Sequence, residues 1–208
     1  MTFTEMDYDI DYYLRPPTDE PLFDIDGPIR PRQAQKAALF SDMIRGKRIL
    51  DVGCGRGEQS RWWAENGARE VVGIDWSQTA VNIASCYCSH LKNVTILKAD
   101  ARTYQHPRKH FYEVVLMIDF IEHLVRDDAI EVYKRCWEKW VTPDGWLGVV
   151  SPPRNTCVYH LYHQSRDSLR RDIEGAGFRI KYFKMHKISE PVFVVKAYRL
   201  RNFKWGYK

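Results

Sequence analysis

Three observations predict an α/β fold built on a mostly parallel, seven-stranded sheet with helices on both faces. From Gln33 onward, strand-like and helix-like segments alternate through five rounds. Two more strand-like segments then close the chain. The first strand runs into a glycine-rich turn that opens a helix. Alternation implies right-handed crossovers and hence parallel neighbours. Such sheets bind ligands beyond the carboxyl ends of their strands, so chemistry is expected just after a strand.

The elements follow in order. Residues 1–32 read as an acidic, aromatic arm in front of one domain, residues 33–208. Pro16, Pro17, Pro21, Gly27, Pro28 and Pro31 interrupt the arm, and no helical or strand period survives in it. Phe3, Tyr8, Tyr12, Tyr13 and Phe23 are too many aromatics for a disordered tail, so the arm is expected to pack, as a lid over the site. Residues 33–44 have helical apolar spacing, stopped by Gly46. "RILDV" is a strand, "GEQSRWWAENGA" a helix closed by Gly67, and "EVVGID" a strand. Ser77 can cap the next helix, whose Ala80, Val81, Ala84, Cys88 and Leu91 keep the helical period. "VTILKAD" and "EVVLMI" are strands. Asp127 or Asp128 is expected to start a helix with Ile130, Tyr133, Trp137 and Trp140 on one face. "TPDG" reads as a turn before the strand "WLGVVS". Ser165 starts the last helix, ending near Gly175 or Gly177, and "FRIKYF" and "PVFVVKAYRL" are the closing strands.

Composition narrows the function classes. The 208 residues are 44% hydrophobic and 28% charged, enough apolar content for a sizeable core. The longest apolar runs are far too short to span a bilayer, so no membrane partner is expected. The opening stretch lacks the basic start and apolar core of a secretory signal, so a cytoplasmic protein is expected. The five cysteines show no paired zinc spacing and read as free, mostly buried thiols. Residues 1–28 carry eight acids and one base, whereas the stretch from Arg179 onward carries nine Lys or Arg and one acid. A basic body can attract phosphorylated or nucleic-acid partners; the plainer reading is a solvated face partly neutralised by the arm.

"ILDVGCGRGEQS" carries the first functional signal. Gly53, Gly55 and Gly57 let the chain turn sharply and let a ligand approach the backbone. A dinucleotide fingerprint wants a glycine where Glu58 stands, and a phosphate-binding P-loop wants Lys and Ser/Thr after the last glycine. Neither pattern is met. Asp51, at the end of the first strand, suits a ligand with a positive end. Asp75 closes the second strand, where a carboxylate accepts hydrogen bonds from ribose hydroxyls, and Asp100 closes the third.

Here the sequence resembles the class I S-adenosylmethionine-dependent methyltransferases, over about residues 33–183. The resemblance rests on "LDVGCGRG", "VVGIDWS", "LKADA", "YEVVLMIDFIEHL", "TPDGWLGVV" and "SRDSLRRDIEGAGF", in order and at suitable intervals. It implies a Rossmann-like fold and S-adenosyl-L-methionine as cofactor. It further implies that Asp51, Gly53 and Gly55, with Cys54 between the glycines, hold the methionine end. Asp75 would bind the ribose, with Trp76 against the adenine. Asp100 and Ala101 would reach the adenine edge, and Met117 and Asp119 would line the cofactor from the fourth strand.

The acceptor is less sharply drawn. "SPPR", residues 151–154, follows the fifth strand, not the fourth, and so does not match the adenine or glutamine amino-methyltransferases. After the fourth strand stands "DFIEHL". If it makes a helical turn, Asp119 can share a face with Glu122 and His123, and His160 or His163 can join from the loop after the fifth strand. The pattern resembles the small-RNA 3′-terminal ribose 2′-O-methyltransferases and the ubiquinone-pathway O-methyltransferases. That implies, as a secondary reading, a divalent metal on Asp119, Glu122, His123 and His163. The primary reading needs no metal: His123 or His163 takes the proton from an acceptor hydroxyl. Tyr12, Tyr13, Arg154 and Tyr159 are candidates for the acceptor pocket. The expected function is methyl transfer to an oxygen of a small molecule such as a sugar, a phenol or a cofactor precursor. The alternatives are an RNA ribose 2′-O-methyltransferase and a non-catalytic cofactor-binding regulator.

Overall fold

The computed structural model describes residues 10–14, 22–153 and 159–203. Its seven strands form one sheet in the order β3-β2-β1-β4-β5-β7-β6. The pairs β1/β2, β2/β3 and β4/β5 are parallel; β7 runs antiparallel to both β5 and β6. The chain divides into two compact units, residues 1–103 and 104–208.

The first unit contains α1 (Ile10–Leu14), α2 (Pro31–Ala38), α3 (Ser41–Ile44), β1 (Arg48–Val52), α4 (Glu58–Glu65), β2 (Glu70–Asp75), α5 (Gln78–Tyr87) and β3 (Val94–Lys98). In β1 and β2 every residue after the first is buried, the pattern of parallel strands covered on both faces. Trp63, Ala80 and Ala84 are fully buried in the helices that follow them. Ser77 caps α5 by accepting the Ala80 N–H, as its position predicts.

Two expectations for this unit need correction. The arm is not wholly irregular, because residues 10–14 form α1, anchored by the buried Tyr13. The helix expected over residues 33–44 begins at Pro31 and is broken between Ala38 and Ser41. Pro31 sits at the first helical position, where its missing N–H costs nothing. At the break, the Ala37 carbonyl accepts from the Phe40 N–H and from Trp63 Nε1, and Phe40 turns fully into the core.

The second unit contains β4 (Tyr112–Ile118), α6 (Arg126–Arg135), β5 (Val141–Ser151), α7 (Arg166–Gly175), β6 (Phe178–Lys187) and β7 (Pro191–Arg199). Ser165 caps α7 through a capping box with Ser168. Helix α6 starts at Arg126, with Val125 as its cap, so Asp127 and Asp128 lie in its first turn rather than before it. There they complement the positive end of the helix. After α6 the chain widens into a π turn, Cys136–Trp140, which buries Trp140 completely while Trp137 stays half-buried. "TPDG" is not a free turn but an irregular start of β5, with a register shift against β4 between Tyr112 and Val114. A Cβ on Gly145 would lie 2.5 Å from Val141 Cγ2 and 2.9 Å from the Glu113 carbonyl, so only glycine fits that bulge.

Among the described residues, no helix is long and apolar enough to cross a membrane. Cys54, Cys88 and Cys136 are buried free thiols, Cys86 is an exposed one, and Cys157 lies outside the described residues.

Candidate functional site

In the first unit the glycine turn links β1 to α4. Gly53, Gly55 and Gly57 all have positive φ, at 73°, 52° and 81°. The turn is stitched to β2: the Gly53 and Cys54 N–H groups both donate to the Ile74 carbonyl, at 2.9 and 3.0 Å. Nothing lies within 4 Å of where a Cβ on Gly55 would stand. The turn therefore presents open space and bare backbone at that point.

Asp75 ends β2 and organises the turn. Its Oδ2 accepts the Gly55 N–H at 2.9 Å, and its Oδ1 accepts the Ser77 N–H at 3.0 Å. Burial raises its pKa, against the lowering effect of these N–H groups and that of Trp76. Each carboxylate oxygen can still accept a second hydrogen bond. Asp51 is the fourth of five residues in β1, not the last, and is paired in register with Gly73. It is buried and accepts from Ser60 Oγ at 2.5 Å. Burial pushes its carboxyl up to about 7, the Ser60 hydroxyl opposes the shift, and the nearby Asp75 charge adds to it. Cys54, between the glycines, is a buried thiol whose pKa burial raises strongly, the opposite of a reactive cysteine. Asp100 lies two residues beyond β3, partly exposed, with both oxygens held by the Arg102 guanidinium. Ala101 beside it is buried.

The arm meets this region. Tyr13 packs on Ala80 and Ile83, and Tyr12, Phe23 and Trp76 pack against the same cluster. Tyr12 and Tyr13 thus stand with Trp76, on the side where the resemblance places the adenine. Two contributors escaped the sequence reading. Arg56, inside the turn, donates to the Tyr13 carbonyl and lies 5.4 Å from the Phe23 ring centroid. Glu58, the position that spoils a dinucleotide fingerprint, is a buried anchor: Arg30 donates to both its oxygens, and Arg56 Nε donates at 3.1 Å. The misfit glycine position was the available signal for Glu58. Neither arginine had one.

In the second unit the chemistry gathers after β4. Asp119 adopts φ 50°, a left-handed conformation unusual for a residue with a side chain, and its N–H donates to the Val150 carbonyl at 2.9 Å. A single 3₁₀ turn, Ile121–His123, follows. Glu122 is buried and accepts from Ser151 Oγ at 3.0 Å. Its carbonyl accepts the N–H groups of Leu161 and Tyr162, at 2.8 and 3.0 Å, which pins the loop after β5 to this turn. The His123 and His160 rings meet edge to face with centroids 5.0 Å apart. One ligand atom from each of Glu122, His123 and His160 lies within 4.8 Å of the other two. Burial lowers the His123 pKa to about 4, helped by His160 and opposed by Asp119 and a hydrogen bond to the Tyr159 backbone.

The expected residues fall into place unevenly. Glu122 and His123 come together, and His160, not His163, joins them. In the loop Tyr162 and Gln164 point inward and are buried, so the intervening His163 points outward and is exposed. Asp119 lies outside the three-residue group and acts on His123 electrostatically. Tyr159 enters through its backbone. Met117 is fully buried within β4, and Arg154 lies outside the described residues.

Residues 49–145 match a family model described as a methyltransferase domain. The chain is 32% identical over 117 residues to a ubiquinone biosynthesis O-methyltransferase of Nitrosospira multiformis, a match covering 56% of this chain and 47% of that protein. It is 30% identical over 141 residues to phosphoethanolamine N-methyltransferase 3 of Arabidopsis thaliana, covering 65% of this chain and 28% of that one. The chain thus spans about half of the first relative's length and less of the second's. A solved SAM-dependent methyltransferase from Methanosarcina mazei has a similar fold, with TM-score 0.70 and 17% identity, covering 79% of this chain and 98% of that one. The matched segment begins in β1, takes in the glycine turn and the carboxylates of the first unit, and ends in the bulge of β5; over that segment the chain is similar to methyltransferases, and its fold is that of solved SAM-dependent members.

Proposed function

We propose that the protein binds S-adenosylmethionine in its first unit and methylates a hydroxyl oxygen of a small molecule. The residues fit such a cofactor. The open backbone at Gly55 accommodates a close ligand, Asp75 retains acceptor capacity for a ribose, and Trp76 with the arm tyrosines offers an apolar wall. The cofactor supplies an electrophilic methyl group on a sulfonium. The chain's own task is to hold the acceptor in line and to manage the proton of its hydroxyl.

The observation that carries the oxygen reading is the Glu122–His123–His160 group. An amine acceptor attacks with its own lone pair and needs no strong base, whereas a hydroxyl must lose its proton. His123 is kept neutral, and its hydrogen bond to the Tyr159 backbone fixes its ring. A pKa near 4 also makes it a weak base on its own, which counts against His123 as sole general base. A carboxylate and two imidazoles within 4.8 Å are a donor set suited to a divalent cation. Glu122, His123 and His160 would hold it, and its chemistry there would be to lower the pKa of a hydroxyl. The small-molecule reading draws on the ubiquinone-pathway relative; nitrogen transfer stays as a second reading because the Arabidopsis relative is named an N-methyltransferase.

The test is calorimetry with S-adenosylhomocysteine, then methyl transfer to matched hydroxyl and amino acceptors, each with and without a chelator. Transfer to oxygen that falls on chelation is expected. Product methylated on nitrogen, insensitive to chelator, would reverse the oxygen assignment; no cofactor uptake at millimolar concentration would remove the whole reading.

A further inference from the structure

The edge of the second unit carries a feature that methyl transfer does not use. Strands β5, β7 and β6 lie side by side, and on one face a row of aromatic rings crosses them. Trp146 in β5 is in register with Tyr198 in β7, and their ring centroids are 5.8 Å apart. Two residues along β7, Lys196 is in register with Tyr182 in β6. Trp146, Tyr182 and Tyr198 are all half-buried, so each ring is seated in the sheet yet reaches the surface. Ammonium groups lie among them: Lys181 Nζ is 5.5 Å from the Tyr198 ring centroid, and Lys184 and Lys196 Nζ are 5.6 and 5.7 Å from the Tyr182 ring. A register shift between Ile180 and Tyr182 brings Lys181 to the face that Tyr198 occupies. His186 extends the row through a hydrogen bond between its Nε2 and the Tyr182 hydroxyl.

We propose that this face binds single-stranded RNA. Charge complementarity selects a polyanion: from Arg179 onward the sequence carries nine Lys or Arg and one acid, and Asp144, near Trp146, is paired with Arg201. Rings interleaved with cations select unpaired bases, because every base has a face to stack and every nucleotide a phosphate to neutralise. RNA is the polyanion that normally presents unpaired bases in loops and ends. An anionic lipid surface would use the lysines but has no need of tyrosines aligned in register across strands. The inference is independent of the proposed methyl transfer, and its failure leaves that reading intact.

The test uses the full chain and fluorescein-labelled oligouridylate of roughly 20 nucleotides, read by fluorescence anisotropy at rising salt. Binding is expected, with the triple variant Lys181→Gln, Lys184→Gln, Lys196→Gln weakened about 10-fold or more and its log–log salt slope reduced by about 2. Tyr182→Ala should weaken binding about 5-fold or more with the salt slope unchanged, because it removes stacking and no charge. Both variants should keep the parent's circular dichroism and its affinity for S-adenosylhomocysteine, which shows that they fold. Four results would overturn the proposal: no binding at low salt, a triple variant that binds as the parent does, equal or tighter binding of oligodeoxythymidylate, or equal binding of phosphatidylserine vesicles with Tyr182→Ala unaffected.

Discussion

Two strand ends use the same unusual backbone conformation for different ends. Beyond β1, Gly55 has φ 52°; beyond β4, Asp119 has φ 50°. Glycine adopts that conformation freely, and an Asp does so at some cost. The first unit spends side chains on building a surface of bare backbone, with Asp75 holding the turn from beneath. The second unit keeps a carboxylate at the bend itself and sets a buried glutamate and two histidines behind it. On the function proposed above, binding by backbone and handling of protons by side chains would fall to different units, and each could be broken alone.

The sharpest break is in the second unit. Glu122→Gln keeps the shape and the Ser151 contact but removes the charge from the three-residue group. Turnover should fall about 100-fold or more, the usual scale for losing an acid–base or ligand group. Calorimetry with S-adenosylhomocysteine should show affinity unchanged. An equal loss of cofactor binding would erase the proposed separation. His160→Ala should behave alike, whereas the exposed His163→Ala should leave turnover within about 2-fold of the parent.

The reciprocal break is Asp75→Ala. It leaves the Gly55 and Ser77 N–H groups without their acceptor, so the glycine turn should loosen as well as losing the ribose contact proposed for it. Cofactor affinity should weaken about 10- to 100-fold, with unfolding free energy lower by roughly 1–3 kcal/mol. Denaturant titration beside calorimetry separates the two effects. Undiminished affinity would mean that the ribose lies elsewhere.

The contrast also explains what the sequence made readable. Strand ends, the Ser77 cap and the glycine turn depend on neighbours a few residues away, so β1, β2 and the start of α5 were legible almost to the residue, whereas α5 ends at Tyr87, short of the expected Leu91. The break at Leu39–Phe40 depends on Trp63, some two dozen residues on, and was hidden. The Glu122 group draws on three separate segments; its local half, Glu122–His123, could be read directly, and its distant half only as a choice between His160 and His163. Choosing His160 over His163 needed the inward direction of Tyr162 and Gln164, which motif spacing does not encode. Arg56 was invisible for the same reason, its partner lying in the arm, and Glu58 showed only as a misfit glycine position, its partner Arg30 unseen.

A middle-sized effect sharpens the first unit. The Asp51 carboxyl has an ordinary value of 3.8 and is raised by burial to about 7. A raised acid binds more protons folded than unfolded, so its contribution to stability falls as pH rises from about 4 to 7 and is level beyond. A cofactor ammonium beside Asp51 would favour the charged form, so binding should release a proton below pH 7. Affinity for S-adenosylhomocysteine should then rise with pH between about 5 and 7, by at most about 10-fold per unit, and flatten above. Asp51→Asn should lose that rise. A parent with flat affinity over this window would show that no positive group of the ligand reaches Asp51.

The smallest effect compares the two bends directly. Gly55→Ala adds a methyl group that meets nothing within 4 Å, so its cost is conformational, about 1 kcal/mol of stability. Asp119→Gly runs the other way and should stabilise the fold by roughly 0.5–1 kcal/mol, because the bend no longer strains a side chain. Asp119 also raises the His123 pKa, so its removal should lower that value further. Histidine NMR titration of Asp119→Gly reads this without any substrate, and denaturant unfolding reads the strain. Greater stability with a lower His123 midpoint would assign Asp119 to the chemistry of its unit. A loss of stability with His123 unmoved would make it a structural carboxylate, held at that bend by contacts worth more than the strain.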